Sequence, residues 1–379
     1  MGEGKREARD GGLFPVIRSL LGHTKVDINN LCPSQIDLAL QSGLGPVLAH
    51  IAAPGHVVDS RVQAAIRAAD LTARLLTAEK LDVLLEVLDA AQAAGCRPLL
   101  LKGISAALRY YPEPHMRTMG DIDLLVAFDQ QRKFEDELRR RKFYQASHEP
   151  PAAFVDRHHS MPFWHRERPV CVEVHVKLHP RQYILASDPR FTFDAMESHL
   201  SPMLIQGRSA TTMNHELHLV YTITRWAERL EYQRGVFPML DVGQLLRDYG
   251  NIIDWSCVRR LVERSWAITA LNLMLSFLSK YELVPVPSDV LQWLVRNDRY
   301  TNALSMGALH QLLWRYVILR KPFSDVLGTQ NNMETIWSVL VRPSTPTRNL
   351  LRIPYSLAGS AYRTYVQRVR EGGRSWRGW

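Results

Sequence analysis

The sequence is poor in cysteine and contains no long apolar run. Its 379 residues include only four cysteines, which are widely separated and form no CxxC pair. This spacing favours neither a disulfide framework nor a cysteine-based zinc site, and it is typical of a protein in a reducing cytoplasm. No apolar stretch reaches the roughly 18 to 20 residues that span a bilayer. The first residues, MGEGKREARDGG, predict neither an export signal nor a lipid anchor.

The chain also lacks internal repeats, low-complexity tracts and an excess of acidic residues. It carries 47 Lys and Arg against 38 Asp and Glu, which gives a formal charge of +9. Such an excess of positive charge favours polyanionic partners, namely nucleotides, nucleic acid or an anionic membrane surface. With 46% hydrophobic residues the chain has enough apolar material for a globular protein of two or three domains.

One short segment combines acidic and apolar residues in a strict alternation. Residues 121–126 read DIDLLV, with two aspartates spaced two positions apart. Because successive side chains of a strand point to opposite faces, Asp121 and Asp123 are expected on one face and the apolar side chains on the other. Two carboxylates on one face of a strand predict a site for a divalent cation.

A second alternating segment places another carboxylate on a polar face. In residues 170–178, VCVEVHVKL, the aliphatic side chains occupy every second position. Burial of each aliphatic side chain is worth about 1.5 to 3 kcal/mol, so the register of this strand is strongly fixed. Glu173 and His175 are therefore expected together on the opposite face.

A strand-turn-helix pattern precedes the acidic strand. The apolar run that ends at Leu101 is followed by a predicted helix, with Lys102 and Gly103 at the turn. The backbone N–H groups of Gly103 and its neighbour, with the hydroxyl of Ser105, are placed to bind phosphate at the start of that helix. Lys102 and Arg117 would add positive charge.

Together these parts suit nucleotidyl transfer from a nucleoside triphosphate such as ATP. Asp121 and Asp123 are predicted to hold Mg²⁺, with Mn²⁺ as the alternative ion, against the triphosphate. Glu173 is predicted to help hold a second cation that activates the acceptor. Three converging carboxylates without a cation would raise one another's pKa, which favours a metal-bound arrangement.

The ordered motifs resemble those of the uncharacterised nucleotidyltransferase family within the DNA polymerase beta superfamily. The matching residues are Leu100-Leu101-Lys102-Gly103, Arg117, Gly120 to Val126, Val172-Glu173-Val174-His175, Leu240-Asp241-Val242 and Ile253-Asp254-Trp255. The resemblance implies an α+β fold in which a small mixed sheet carries the metal site between flanking helices. It also implies transfer of NMP to a hydroxyl-type acceptor with release of pyrophosphate, in settings such as natural-product or polysaccharide biosynthesis.

Two positions depart from the pattern of the superfamily. Its members commonly show Gly-Ser after the first strand, where this chain reads Lys102-Gly103-Ile104-Ser105. The family also tends to place a histidine in the first helix after the catalytic domain. At that point this chain reads TITRW, at residues 222–226, and no role is carried over to that helix.

With this resemblance, the chain divides into four predicted regions. Residues 1–78 are predicted as an N-terminal helical region, 79–205 as the nucleotidyltransferase core and 206–345 as a C-terminal helical domain. Residues 346–379 form a tail rich in arginine and aromatic residues, with Glu371 as its only acid. This tail is suited to contact a polyanion, and a solvated helix with a frayed end is the alternative interpretation.

Several alternatives stay open at this stage. His175 either contacts substrate or orients a carboxylate, and Asp241 has a simple alternative role as an acid near a helix start. A His175–His179 zinc pair is disfavoured because its spacing suits one face of a helix and not a strand. At the level of function, the alternatives are a non-catalytic nucleotide- or RNA-binding module and a glycosyltransferase. The acceptor of a nucleotidyltransferase would be a small molecule, a peptide, a saccharide or RNA.

Overall fold

The computed structural model describes residues 11–23, 27–52, 59–155, 157–181, 183–228 and 235–320. Within these ranges the chain forms thirteen α-helices and one mixed sheet of seven strands. The predicted α+β class is therefore confirmed. The predicted tail, residues 346–379, lies outside the described residues, and so does its proposed contact with a polyanion.

The helices fall before, within and after the strand-bearing part of the chain. They are α1 (Phe14–Leu20), α2 (Pro33–Gln41), α3 (Gly45–Ile51), α4 (Ser60–Ala93), α5 (Lys102–Tyr110), α6 (Phe128–Arg140), α7 (Phe193–Met196), α8 (His215–Glu228), α9 (Val236–Tyr249), α10 (Trp255–Val262), α11 (Ala267–Lys280), α12 (Ser288–Asn297) and α13 (Ala303–Leu313). A short π-helical turn, Trp314–Ile318, follows α13. None of the described helices is both long and apolar enough to cross a membrane.

The longest helix, α4, connects the N-terminal helices to the sheet. Asp59 caps its start by accepting a hydrogen bond from the backbone N–H of Arg61 at 2.8 Å. Its end is closed at Gly95, whose φ of +69° suits a glycine and whose N–H bonds the carbonyl of Gln92. Position 78, where a domain boundary was predicted, lies inside this continuous helix.

The seven strands form a single sheet. They are β1 (Leu99–Leu100), β2 (Asp121–Leu125), β3 (Phe143–Gln145), β4 (Phe163–His165), β5 (Cys171–His175), β6 (Leu200–Ile205) and β7 (Arg208–Met213), in the spatial order β3-β4-β5-β2-β1-β7-β6. The two acidic strands, β2 and β5, are adjacent and parallel at the centre of the sheet. Their side chains are thus brought together across about 50 residues of sequence.

The β6–β7 hairpin was not predicted from the sequence. Its two-residue turn, Gln206-Gly207, has positive φ at both positions (47° and 80°), the geometry of a hairpin turn that matches strand twist. β6 is an edge strand, and it contains Pro202, which an edge tolerates. The predicted boundary after residue 205 falls at the turn of this hairpin. β7 also pairs with β1, so the hairpin belongs to the same sheet as the core.

Two hydrophobic cores lie on opposite faces of the sheet, since Leu99 and Leu125 belong to one and Leu100 and Leu124 to the other. The smaller one packs α4 and α6 against the sheet and includes Val83, Ile122 and Val172. The larger one joins the N-terminal helices to the C-terminal helices, as Ile66, Trp226 and neighbouring side chains belong to the same cluster. The N-terminal and C-terminal helices therefore share a core instead of forming separate units.

Candidate active site

The parallel pairing of β2 with β5 sets two predicted carboxylates side by side. Asp123 lies opposite Glu173 in the register, and Asp121 lies opposite Cys171. Asp123 is buried, whereas Asp121 and Glu173 are half-buried. The apolar residues between them, Ile122 and Val172, are fully buried on the other face. The predicted separation of acidic and apolar faces is therefore observed in both strands.

His175 lies beneath the carboxylates and is fully buried. Its Nε2 is 2.7 Å from Oδ1 of Asp123 and 3.4 Å from Oε2 of Glu173. The rings of His158 and His159 pack against it, with centroids 5.0 and 5.3 Å away. A buried imidazole in these contacts is placed to orient Asp123, which is one of the two roles considered for His175.

Lys102 is the first residue of α5, and its backbone adopts an unusual conformation. Its φ is +46°, a left-handed value that costs a non-glycine residue roughly 1 to 3 kcal/mol. The Nζ atom lies 2.5 Å from Oδ1 of Asp123 and 4.0 Å from Oε2 of Glu173. The turn that was predicted to meet phosphate thus places an ammonium group directly on the acidic pair.

The charges of this cluster shift the pKa values of its members in different directions. Repulsion from Asp123, together with burial, raises the pKa of Asp121 to about 6. Burial alone would raise the pKa of Asp123, but Lys102 and His175 outweigh it and hold this pKa well below its usual range. Burial likewise opposes ionisation of Glu173, and the hydrogen bond from His175 lowers its pKa overall. Asp123 is therefore the carboxylate most firmly held in its charged form.

Arg117 lies at the rim of the same cleft, but its charge is neutralised by a partner far away in sequence. Its Nε and Nη2 donate to the two carboxylate oxygens of Asp241, on α9, at 2.8 and 3.0 Å. The hydroxyl of Tyr111 donates to the same carboxylate at 2.8 Å. Asp241 is thus the buried anchor of Arg117, a contact that its position near a helix start did not reveal.

Ser105 and Gly103 occupy different environments although both were predicted to meet phosphate. Gly103 lines the cleft, and an added Cβ would lie 3.1 Å from Cβ of Met119, so a side chain fits there only tightly. Ser105 is fully buried, and its hydroxyl lies 3.0 Å from Oγ1 of Thr212 on β7. The structure does not bring Ser105 to the cleft.

A cavity of about 530 Å³ opens above the carboxylates. Six of the eight predicted site residues line it: Lys102, Gly103, Arg117, Asp121, Asp123 and Glu173. Its other wall comes from α8 and from the start of α9, which includes Phe237. The guanidinium of Arg117 lies over the ring of Phe237, 4.6 Å from the ring centroid. This volume is within the range of small-molecule sites in proteins.

Helix α8 contributes cavity residues to which sequence reasoning assigned no role. Tyr221, Arg225 and Trp226 line the cavity and are almost fully buried. Among the described residues, the Tyr221 hydroxyl, Trp226 Nε1 and two nitrogens of Arg225 have no hydrogen-bond partner. Tyr221 and Arg225 are four positions apart and therefore lie on one face of the helix, and this spacing was the available sequence signal. A wall that carries unsatisfied donors suits a ligand rich in acceptors.

The donor atoms of the acidic cluster suit a divalent cation. Ligand atoms of Asp123, Glu173 and His175 lie within 4.8 Å of one another, the only such group of three or more in the described part of the chain. Carboxylate oxygens are the ligands that Mg²⁺ and Mn²⁺ prefer. Because His175 Nε2 already contacts Asp123, the carboxylates are the better candidates to hold an ion, with His175 supporting them.

The sheet, its acidic parallel pair and the flanking helices are those of a nucleotidyltransferase-type α+β fold. The model of a family described as uncharacterised nucleotidyltransferase matches residues 34–281. The chain belongs to this family, which confirms the resemblance seen in its motifs. The comparison with curated proteins and the comparison with solved structures each found no match.

The environment of Ser105 leads to a first prediction. Ser105→Ala is expected to leave the affinity for a nucleoside triphosphate unchanged and to lower the free energy of unfolding by about 1 kcal/mol, because only the bond to Thr212 is lost. Calorimetric titration and chemical denaturation measure the two quantities. Thr212→Val removes the partner hydroxyl and also the acceptor of Arg109 Nη1 at 3.0 Å, so it is expected to lower the free energy of unfolding further while leaving triphosphate affinity unchanged. A tenfold loss of triphosphate affinity in the Ser105 variant alone would contradict this assignment.

Proposed function

We propose that the protein transfers a nucleoside monophosphate from a nucleoside triphosphate to a hydroxyl-type acceptor. The observation that carries this proposal is the in-register pair of Asp123 and Glu173 on adjacent parallel strands, with Lys102, the first residue of α5, in contact with Asp123. Membership of a nucleotidyltransferase family supports the class of reaction. In this reaction the acceptor hydroxyl gives up its proton to water and its oxygen bonds to the α-phosphorus. The bond from that phosphorus to the bridging oxygen breaks, and pyrophosphate leaves with the electron pair.

Each site residue has a part in this reaction. Asp121, Asp123 and Glu173 would hold Mg²⁺ or Mn²⁺, and His175 would keep Asp123 oriented through its contact of 2.7 Å. When bound, the divalent ion would neutralise charge on the phosphates and on the departing pyrophosphate. Lys102 and the N–H groups at the start of α5 would bind the outer phosphates. The paired Arg117 would shape the wall of the cavity and add little net charge.

A substitution at Glu173 tests whether this residue serves triphosphate binding or the reaction step. Glu173→Gln is expected to keep triphosphate affinity within about threefold while lowering kcat by about a hundredfold or more, because its carboxylate acts at the acceptor side of the site. Initial rates of pyrophosphate release and calorimetric titration give the two values. An equal loss of affinity and kcat would place Glu173 in the triphosphate-binding part instead.

The acceptor and the base of the nucleotide are left to experiment. Each NTP is titrated into the full chain by calorimetry, with Mg²⁺ and with EDTA, and pyrophosphate release is measured after a cell extract is added as a source of acceptors. The proposal expects binding that depends on the metal, followed by pyrophosphate release. Metal-independent binding with no pyrophosphate release would instead support a non-catalytic binding module. A nucleotide sugar as the only donor, with release of a nucleoside diphosphate, would support a glycosyltransferase.

A further inference from the structure

The side chain of Lys102 occupies the position that a cation would take at the acidic pair. Its Nζ contacts Oδ1 of Asp123 at 2.5 Å and is 4.0 Å from Oε2 of Glu173. The lysine side chain is only 24% exposed and that of Asp123 only 3%. An ammonium group so placed neutralises part of the carboxylate charge without any bound ion.

Oδ1 of Asp123 already has two partners, Nζ of Lys102 at 2.5 Å and Nε2 of His175 at 2.7 Å. These two contacts occupy both lone pairs of the oxygen, so an ion that binds it must displace one of them. Lys102 is the partner that carries a positive charge and is repelled by the ion, so it is the one expected to move. Withdrawing a cation from a buried ion pair without giving it a new partner is unfavourable.

The backbone of Lys102 supports a role that requires a lysine at this position. Its left-handed φ of +46° would be adopted at little cost by glycine, yet a lysine stands there at the turn from β1 into α5. Directly before it, the backbone N–H of Leu101 bonds the carbonyl of Asp123 at 3.0 Å, which fixes the turn against β2. The strained turn thus holds the lysine against the acidic strand.

We propose that Lys102 is the built-in counter-ion of the acidic site and makes it select a metal–polyphosphate complex over a free divalent ion. A free ion must displace Lys102 with no compensation. A metal–polyphosphate complex brings phosphate oxygens that accept the displaced ammonium group, so metal and phosphate bind cooperatively. This inference rests on the proposed function for its ligand class, but it concerns binding and not turnover.

The test compares Mn²⁺ alone with Mn²⁺–tripolyphosphate, a probe that is independent of the nucleotide base. Binding to the full chain is followed by electron paramagnetic resonance of free Mn²⁺ and by calorimetry. Lys102→Met is expected to bind Mn²⁺ alone at least about tenfold more tightly than the wild type, and Mn²⁺–tripolyphosphate at least about tenfold more weakly. The two changes have opposite signs, which a general loss of structure would not produce.

A matched control is available at Lys80, another buried lysine near the site. Its Nζ donates to the carbonyl of Leu76 at 3.5 Å. The carboxylates of Glu79 and Asp121 act on its pKa through space, but neither forms an ion pair with it. Lys80→Met removes a buried positive charge without freeing Asp123, and both affinities should stay within about twofold of the wild type. An equal gain in Mn²⁺ affinity in this variant would overturn the assignment to Lys102.

A second variant keeps the test decisive if Lys102→Met does not fold. Lys102→Gln also removes the charge but keeps a donor for Asp123, and it is expected to shift both affinities in the same directions. If the folded variants bind Mn²⁺ alone no more tightly than the wild type, the counter-ion role is wrong. Absence of pyrophosphate release from every NTP, with the opposite shifts still observed, would overturn only the proposed function.

Discussion

Replacing Asp123 by Asn is expected to lower the rate of nucleotidyl transfer by at least about a thousandfold. Asp123 is the central carboxylate of the site, because it contacts Lys102 and His175 and lies opposite Glu173 in the sheet. Asparagine has nearly the same shape but carries no charge, so it would hold a divalent ion more weakly and would lose the ion pair with Lys102. The rate is measured as pyrophosphate release with saturating NTP and acceptor.

This substitution needs a control for the loss of a paired acid as such. Asp89 forms a two-bond ion pair with Arg208 at 2.7 and 3.0 Å, outside the cavity lining. Asp89→Asn is expected to keep the wild-type rate within about twofold, because neither residue of the pair lines the cavity. The pair is half-exposed, and its loss is expected to cost only about 1 kcal/mol of stability. Circular dichroism and thermal unfolding establish that both variants are folded. Wild-type turnover by a folded Asp123→Asn protein would rule out the proposed mechanism.

The largest loss of stability is expected on replacing Asp241 by Ala. The substitution would leave the Arg117 guanidinium buried without its carboxylate and the Tyr111 hydroxyl without its acceptor. Breaking such a pair costs about 3 to 5 kcal/mol of the free energy of unfolding. Denaturant titration with an unchanged m-value measures the loss. The rim of the cavity would also change shape, so triphosphate affinity is expected to fall.

A double variant distinguishes the ion pair from simple loss of packing. Arg117→Met combined with Asp241→Leu removes both charges and fills most of the vacated volume, and it is expected to recover at least half of the lost stability. If the double variant is as unstable as Asp241→Ala, packing around α9 is responsible, and the pair does not anchor Arg117 in the way described above. Recovery of stability without recovery of triphosphate affinity would show that Arg117 also serves the ligand.

The sequence was sufficient to predict the acidic face but not the contacts of its residues. The alternation in residues 121–126 and 170–178 predicts which side chains share a face. Burial of the aliphatic positions leaves only one way to orient each strand, with the polar side chains on the opposite face. It did not reveal that the two strands are parallel neighbours with Asp123 opposite Glu173. That pairing depends on long-range contacts, which no local pattern encodes.

Polar residues were the least predictable part of the site. Arg117 was expected to offer free positive charge, and the structure shows it paired with Asp241, which lies 124 positions away. Ser105 was expected at the phosphates, but its position in α5 turns its hydroxyl toward Thr212. The sequence of α8 shows only the periodicity of a helix. This periodicity indicates which residues are buried, but it does not indicate whether a buried donor has a hydrogen-bond partner. Gly207, whose φ is +80°, is the local sequence feature that indicates the hairpin turn at Gln206-Gly207.

We propose that the carboxylates of β2 and β5 direct attack on the α-phosphorus of a nucleoside triphosphate. To test this, the full chain is incubated with Mg²⁺, a cell extract and each NTP labelled in parallel at the α- or the γ-phosphate, with Asp123→Asn in the same extract as the reference. We expect an acceptor that takes up label from the α-labelled NTP with the wild type and not with Asp123→Asn, together with pyrophosphate release. Uptake of γ-label above the Asp123→Asn reference, or equal α-labelling by Asp123→Asn, would contradict the proposal.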